Sequence, residues 1–253
     1  MVREVFSDRI YEQGGIALSD GATIIDAGAN VGIFAISILE RFSGLRLLCF
    51  EPVPLVRECL EENLRTWAED GANDLSVLPR ALGDRNGEIE IAFLPHSPGN
   101  STMFPDQKVL ELASVAAEIG QGNFPKAWVE AHAAQVEQVD GSAEPRDLMG
   151  DRQMLPCRLS DLSSIIEEFG LDRIDLLKID VEGAEFLLLD GLAERHWPLL
   201  RQIAMECSVW NKHRVPELSD SLRDRGFSVT IAGLGSAENA IADGFPCMVY
   251  AWR

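Results

Sequence analysis

Positive charge is what this 253-residue chain has least of: 22 lysines and arginines stand against 41 aspartates and glutamates, a formal net charge of −19. A surface so acidic repels phosphate backbones and anionic headgroups, and no run of Lys or Arg offers a local exception. Nucleic acid and membranes are therefore not expected partners, and the same repulsion weighs, more mildly, against docking on an acidic protein. Histidine numbers only four and cysteine five (Cys49, Cys59, Cys157, Cys207, Cys247). With no CxxC pair and no histidine cluster, no zinc site is expected. The odd, scattered cysteines also exclude a disulfide framework. As no signal-peptide pattern opens the sequence, the expected compartment is the reducing cytoplasm. No apolar run approaches the roughly 18 residues that a membrane span needs. What is present, 46% hydrophobic and 25% charged residues, suits one folded domain over residues 1–253 with a substantial core.

The most informative stretch is TIIDAGANVGIF, Thr23 to Phe34. A β-branched run reaches Asp26, passes small and turn-forming residues, and resumes at Val31 with helical spacing: a strand, a tight turn and a helix. A dinucleotide fingerprint needs a middle glycine where the backbone approaches a pyrophosphate. Here Asn30 stands there, between Gly28 and Gly32, and Asp26 closes the strand. A carboxylate at that point repels a pyrophosphate but suits the ammonium and sulfonium of S-adenosylmethionine. A second apolar strand, Leu45 to Phe50, ends in Glu51, where an acid can take both hydroxyls of a ribose.

The rest of the chain alternates. Residues 1–20 read as a lead-in that packs on the domain and roofs the cofactor. Helices are expected at Val31–Arg41 and Pro54–Ala68, the second with Leu55, Cys59, Leu60, Leu64 and Trp67 on one face. A third strand runs over Leu75–Pro79, and Asp84, Asn86 and Gly87 make a hairpin turn into Glu88–Leu94. The turn-rich loop His96 to Asp106 opens near a strand end, where ligands of open parallel sheets lie, so Asn100 and Ser101 are candidate cofactor contacts. Residues 107–150 break the alternation with a helix about Val109–Ile119, a second at Ala127–Val136 and a polar stretch, which suits a helical lid that excludes water. The alternation returns with a helix at Leu159–Phe169 and the strand IDLLKID, which ends in Asp180 and Glu182. A helix at Ala184–Leu192, a strand at Gln202–Cys207 ending in Glu206, a helix at Pro216–Arg225 stopped by Gly226, and strands at Phe227–Ala232 and Pro246–Trp252 follow. The class is α/β with a doubly wound, mostly parallel sheet.

The motifs TIIDAGANVGIF, FEPVP, RALGD, IDLLKIDVEGAE and HWPLLRQIAMEC, spread over nearly the whole chain, resemble the FkbM family of methyltransferases. The resemblance implies a Rossmann-like class I methyltransferase fold, strand order 3-2-1-4-5-7-6 with the last strand antiparallel and helices on both faces. It implies S-adenosylmethionine as cofactor, held by Asp26, Gly28 and Asn30 in the first turn, by Glu51 with the adjoining Pro52 at the ribose, by Ala81 and Leu82 beside the adenine, and by Asp180 near the methionine end. It also implies O-methylation of a hydroxyl on a small molecule such as a polyketide, either free or tethered to a carrier. One departure matters. Polyketide-type members usually carry Glu-Val-His after the fifth strand, with the histidine as base, and here the run is Glu206, Cys207, Ser208.

Loss of an alcohol's proton calls for a base within hydrogen-bond reach. Glu182, Glu206 and His213 stand at or after carboxyl ends of strands and are the catalytic candidates. Asp180 and Glu206 alone make too thin a ligand set for Mg²⁺, so no metal is expected. The competing readings are an N- or carboxyl-methyltransferase, which needs little base assistance, and a cofactor-binding but inactive partner module.

Overall fold

The computed structural model describes residues 2–69, 71–120, 151–233 and 246–253, with backbone alone for 114–120. Seven strands form the main sheet: β1 (Thr23–Ala27), β2 (Arg46–Phe50), β3 (Asp74–Leu78), β7 (Leu176–Ile179), β8 (Gln202–Cys207), β9 (Ser228–Gly233) and β10 (Cys247–Trp252). Their spatial order is β3-β2-β1-β7-β8-β10-β9, which is 3-2-1-4-5-7-6 when only these strands are counted along the chain. The pairs β1 with β2, β1 with β7, β2 with β3 and β7 with β8 are parallel. β10 runs antiparallel to both β8 and β9. The expected α/β class, the order and the antiparallel last strand are all borne out.

β1, β2 and β7 bury almost every residue because helices cover both faces, the usual reason for continuous apolar runs in parallel sheets. One core layer gathers Ile25, Leu48, Leu177 and Ile203 with Leu162, Ile165 and Phe186. The other gathers Ile24, Leu47, Leu176 and Ala204 with Phe34, Ile38 and Leu60. Alternate residues of each strand thus feed opposite layers. Helix α2 (Ile33–Leu39) follows β1, and α3 (Pro54–Glu69) follows β2 with proline at its first position. The buried stripe of α3 is Val56, Leu60 and Leu64. Leu55 and Cys59, expected on that face, are exposed.

The lead-in is built into the fold. After α1 (Val2–Phe6), a 3-10 turn at Ile10–Glu12 buries Tyr11, and Val5, Tyr11 and Ile16 join the second core layer. The Tyr250 hydroxyl donates to Ile10 O at 2.6 Å, and Gln202 exchanges hydrogen bonds with the Ala17 backbone. The first twenty residues are thereby clamped to β8 and β10.

A second, three-stranded sheet was not expected. β4 (Arg80–Gly83) and β5 (Gly87–Phe93) do not pair with each other as a hairpin; β6 (Gln153–Asp161) lies between them, parallel to β4 and antiparallel to β5. The helix expected from Leu159 begins later, as α5 (Leu162–Glu168), because Asp161 is an extended N-cap whose side chain accepts from Ser164 N. α4 (Pro105–Gly120) is the first helix of the expected lid. The second, at Ala127–Val136, lies outside the described residues, as does the polar stretch up to residue 150, whose end at Gln153 and Met154 opens β6. α6 (Glu185–Asp190) and α7 (Val215–Asp224) are the remaining α-helices among the described residues. Among the described residues, no helix is long and apolar enough to cross a membrane.

Candidate active site

A cavity opens at the carboxyl ends of β1, β2 and β7, where ligands of open parallel sheets lie. Gly28, Asn30, Glu51, Pro52, Ala81, Leu82, Ser101, Asp180 and Glu182 line it, with Phe50, Val53, Arg80, Ile91, Thr102 and Met103. Nine residues singled out in the sequence therefore share one wall.

The first turn is tied down on every side. Gly28 N and Ala29 N donate to Phe50 O at 3.1 and 3.0 Å, and Asn30, at φ 49°, donates its backbone N–H to Glu51 Oε2 at 3.0 Å. Gly28 has φ 77°, and a Cβ there would sit 1.8 Å from Asp180 O. The glycine is needed because the end of β7 crosses so closely, not for a pyrophosphate.

Asp26 does not reach the cavity. It is fully buried beneath the turn, with Oδ1 3.0 Å from Lys178 Nζ in an ion pair whose angles fall short of a hydrogen bond. Parallel register places Asp26 beside Lys178, and the ammonium donates to Gly28 O at 2.7 Å while lying 3.6 Å from Asp180 Oδ2. Burial raises the Asp26 pKa against the pull of Lys178. Burial would lower that of Lys178, but Asp26 and Asp180 outweigh it and hold the ammonium charged. Asp26 thus shapes the turn through Lys178 and is not a direct contact. Lys178 itself was missed, hidden in the apolar run of a central strand.

Glu51 accepts from Val53 N at 2.8 Å as well as from Asn30 N. Each carboxylate oxygen has a second lone pair, so capacity for two further donors remains. Burial pushes its pKa up to about 7, although both backbone donors oppose the rise. Asp180 is held from the lead-in: Tyr11 Oη donates to Oδ2 at 2.7 Å, and burial, followed by the Asp180 charge, raises the tyrosine's pKa well above its ordinary value. The lead-in therefore supplies a second layer behind Asp180.

At the far end of the cavity Glu182, a non-glycine residue at φ 50°, follows β7. Thr102 Oγ1 donates to its carbonyl at 2.6 Å, and Lys108 Nζ to its Oε2 at 2.6 Å. Burial pushes its pKa up to about 7, with Lys108 pulling down and Asp180 and Glu111 pushing up. Gly183 and α6 behind it are pinned by the buried Glu185, which accepts from Gly183 N, Ser208 Oγ and Asn211 Nδ2 at 2.7, 2.7 and 2.8 Å.

Besides Asp26, three candidates fall outside the wall. Asn100 turns away to donate to Ser97 Oγ at 2.6 Å, because Pro98–Asn100 closes into a 3-10 turn. Glu206, next to last in β8, does not line the cavity; burial, then Asp180 and Glu182, raise its pKa well above the ordinary range. His213 is exposed, its Nδ1 2.8 Å from Trp210 O, on a 3-10 turn that carries it clear of the pocket. Among the described residues no cluster of three or more His, Cys, Asp or Glu could hold a metal ion.

The donor set fits a cationic nucleoside. Glu51 offers paired acceptors, Leu82, Ala81 and Ile91 an apolar slot, and Asp180 a carboxylate deeper in. These features define a nucleoside-binding methyltransferase site on a Rossmann-like sheet. The family model of the methyltransferase FkbM domain matches residues 26–229, and the chain belongs to that family; its cofactor is S-adenosylmethionine. Methyltransferase sdnD of Sordaria araneosa is 30% identical over 90% of this chain and 81% of its own length. The 31-O-demethyl-FK506 methyltransferase FkbM of Streptomyces tacrolimicus is also 30% identical, over 90% of this chain and 81% of its own. AMB antimetabolite synthetase AmbE of Pseudomonas aeruginosa is 32% identical over 90% of this chain, which spans 10% of that protein.

Proposed function

We propose that this methyltransferase methylates a hydroxyl of a small natural product, a polyketide or a related compound, free or tethered to a carrier. The observation that carries the reading is Glu182: a cavity-lining carboxylate whose pKa is pushed up to about 7, as a general base working near neutrality requires. The name of the relative that acts on 31-O-demethyl-FK506 supports a hydroxyl acceptor.

In this reading Glu51 and Pro52 hold the ribose end, Ala81 and Leu82 flank the adenine, and Asp180 receives the methionine end. The bound cofactor supplies an electrophilic methyl group. Glu182 accepts the hydroxyl proton on a carboxylate oxygen while the walls hold the acceptor oxygen about 3 Å from its target, the ordering that makes displacement fast. Residues 107–150 act as a lid, a role that fits the grip of α4 on Glu182. We place the enzyme in the cytoplasm; its five cysteines form no disulfide.

The test supplies S-adenosylmethionine and a panel of hydroxy, amino and carboxy compounds, each free and on a carrier, and reads the mass of one added methyl. Glu182→Gln should cost about a hundredfold in kcat on an alcohol, while His213→Ala stays within about threefold. Methylation confined to amines or carboxylates, with Glu182→Gln fully active, would move the reading to N- or carboxyl transfer. Cofactor binding with no acceptor methylated would favour the inactive module.

A further inference from the structure

Only four lysines occur in the chain, and two of them, Lys108 and Lys178, are buried beside the cavity. Lys178 is committed to Asp26 and the first turn. Lys108, 5% exposed on the first turn of α4, has a different set of partners. Its Nζ lies 2.6 Å from Glu182 Oε2 and 2.8 Å from Glu111 Oε2. Glu111 is itself 7% exposed, and its Oε1 accepts from Val209 N at 3.3 Å. One end of this chain of contacts is thus anchored after β8, and the other ends on the carboxylate at the cavity wall.

Such a group is an expensive way to hold a helix. Apolar side chains of similar size commonly replace a buried ion pair without loss of stability. What an ammonium does that a methionine cannot is fix a carboxylate oxygen in place and favour its ionised form. We propose that Lys108 is a positioning residue for methyl transfer: its ammonium, carried on α4, holds the Glu182 carboxylate in the orientation that meets the acceptor.

The proposal rests on Glu182 being the base. The charged groups around Glu182 are Lys108 and Glu111 from α4, Asp180 from the end of β7, and Glu206 from β8. The carboxylates disfavour a further negative charge and Lys108 favours it, so removing the ammonium must drive the Glu182 titration upward. Because the lysine sits on α4, any shift of that helix changes the readiness of the carboxylate as well as the space above it.

The experiment compares wild type, Lys108→Met and Lys108→Arg, each saturated with S-adenosylmethionine. The double variant Lys108→Met/Glu111→Leu removes the buried ion pair of α4 whole and serves if the single one fails to fold. The first readout is the titration of Glu182 by NMR of ¹³C-glutamate-labelled protein, assigned with Glu182→Gln and recorded without acceptor. The second is the acid limb of kcat on whichever alcohol of the panel is turned over. Loss of the ammonium should raise both by about one pH unit or more and cut kcat at pH 7 about tenfold, with cofactor affinity within about threefold; Lys108→Arg should restore both. A Glu182 titration that stays put in Lys108→Met, or that fails to rise at all in the double variant, where loss of Glu111 offsets part of the shift, overturns the link between lysine and carboxylate. A titration that moves while the acid limb does not overturns the catalytic role of the link and shows the fault to lie in Glu182 as base.

Discussion

Replacing Glu51 by glutamine separates what that carboxylate costs the fold from what it gives the cofactor. Its pKa stands at about 7 in the folded protein against an ordinary 4.5. A folded pKa above the unfolded one means stability that is fully present below pH 4.5 and is lost as pH rises through 7. A rise of about 2.5 units corresponds to about 3 kcal/mol, and between pH 5 and 7 Glu51 should contribute a slope approaching 1.4 kcal/mol per pH unit. Glu51→Gln removes that slope. It also turns an NH₂ group toward one of the two backbone donors, Val53 N or Asn30 N, at a cost of about 1–3 kcal/mol, so the slope and not the absolute stability is the clean readout. Cofactor binding should move oppositely. Ribose hydroxyls donate to the ionised form, so wild-type affinity for S-adenosylmethionine should tighten from pH 6 to 8 as binding expels the Glu51 proton. The glutamine variant should bind at least about tenfold more weakly at pH 8, since a charge-assisted bond is worth about 1.5–3 kcal/mol, and with little pH dependence. Urea unfolding at several pH values and titration calorimetry at pH 6, 7 and 8 measure both. Equal affinities in the two proteins, or parallel stability curves, would refute the reasoning.

Two further substitutions probe the layer behind the wall. Lys178→Met strands the fully buried Asp26 without its counter-charge and should cost about 3–5 kcal/mol in urea unfolding; a loss below about 1 kcal/mol would mean that the pair holds nothing. Ser208→Ala takes one of the three donors from Glu185 and should cost about 1.5–3 kcal/mol of stability while leaving the acid limb of kcat in place; a moved limb would make Ser208 part of the proton path.

What the sequence revealed and what it hid divides by locality. Strand ends, turns and helix starts are written in neighbouring residues, so the strands of the main sheet and the first turn with Glu51 were legible locally, while the strand order and the rest of the cavity wall came through the family resemblance. The second sheet was not. β6 carries Pro156 in mid-strand, and its apolar residues run on through Leu159, Leu162, Ile165 and Ile166 at spacings that mimic a single helix; only the cap at Asp161 marks the break. Lys178 was lost in an apolar strand because its partner, Asp26, lies across a parallel register that no local pattern encodes. Glu206 and His213 were placed by following β8 to its end, but reaching the cavity also depends on how the chain turns afterwards. The 3-10 turn at Val209–Arg214 carries His213 into solvent.

The same distinction explains Ser208. Against the family pattern, serine here looks like a lost base, and the sequence pointed to a substitute nearby on the same loop. In the fold this position faces backward: Ser208 is 5% exposed and donates to Glu185, not to anything in the cavity. Glu185 in turn holds Gly183, whose neighbour Glu182 sits in a left-handed conformation that a glutamate adopts only when its surroundings impose it. Thr102 and the ammonium on α4 therefore bond Glu182 directly, while Ser208, just after β8, acts on it only through Glu185 and Gly183. The wall that results is rich in carboxylates and short of cations, and the raised pKa values of Glu51 and Glu182 record that shortage alongside burial. A ligand bearing positive charge relieves it and draws Glu51 and Glu182 toward ionisation. In the proposed reading, the positive charge of the cofactor would thus favour the ionised form of Glu182, the state in which it can accept a proton.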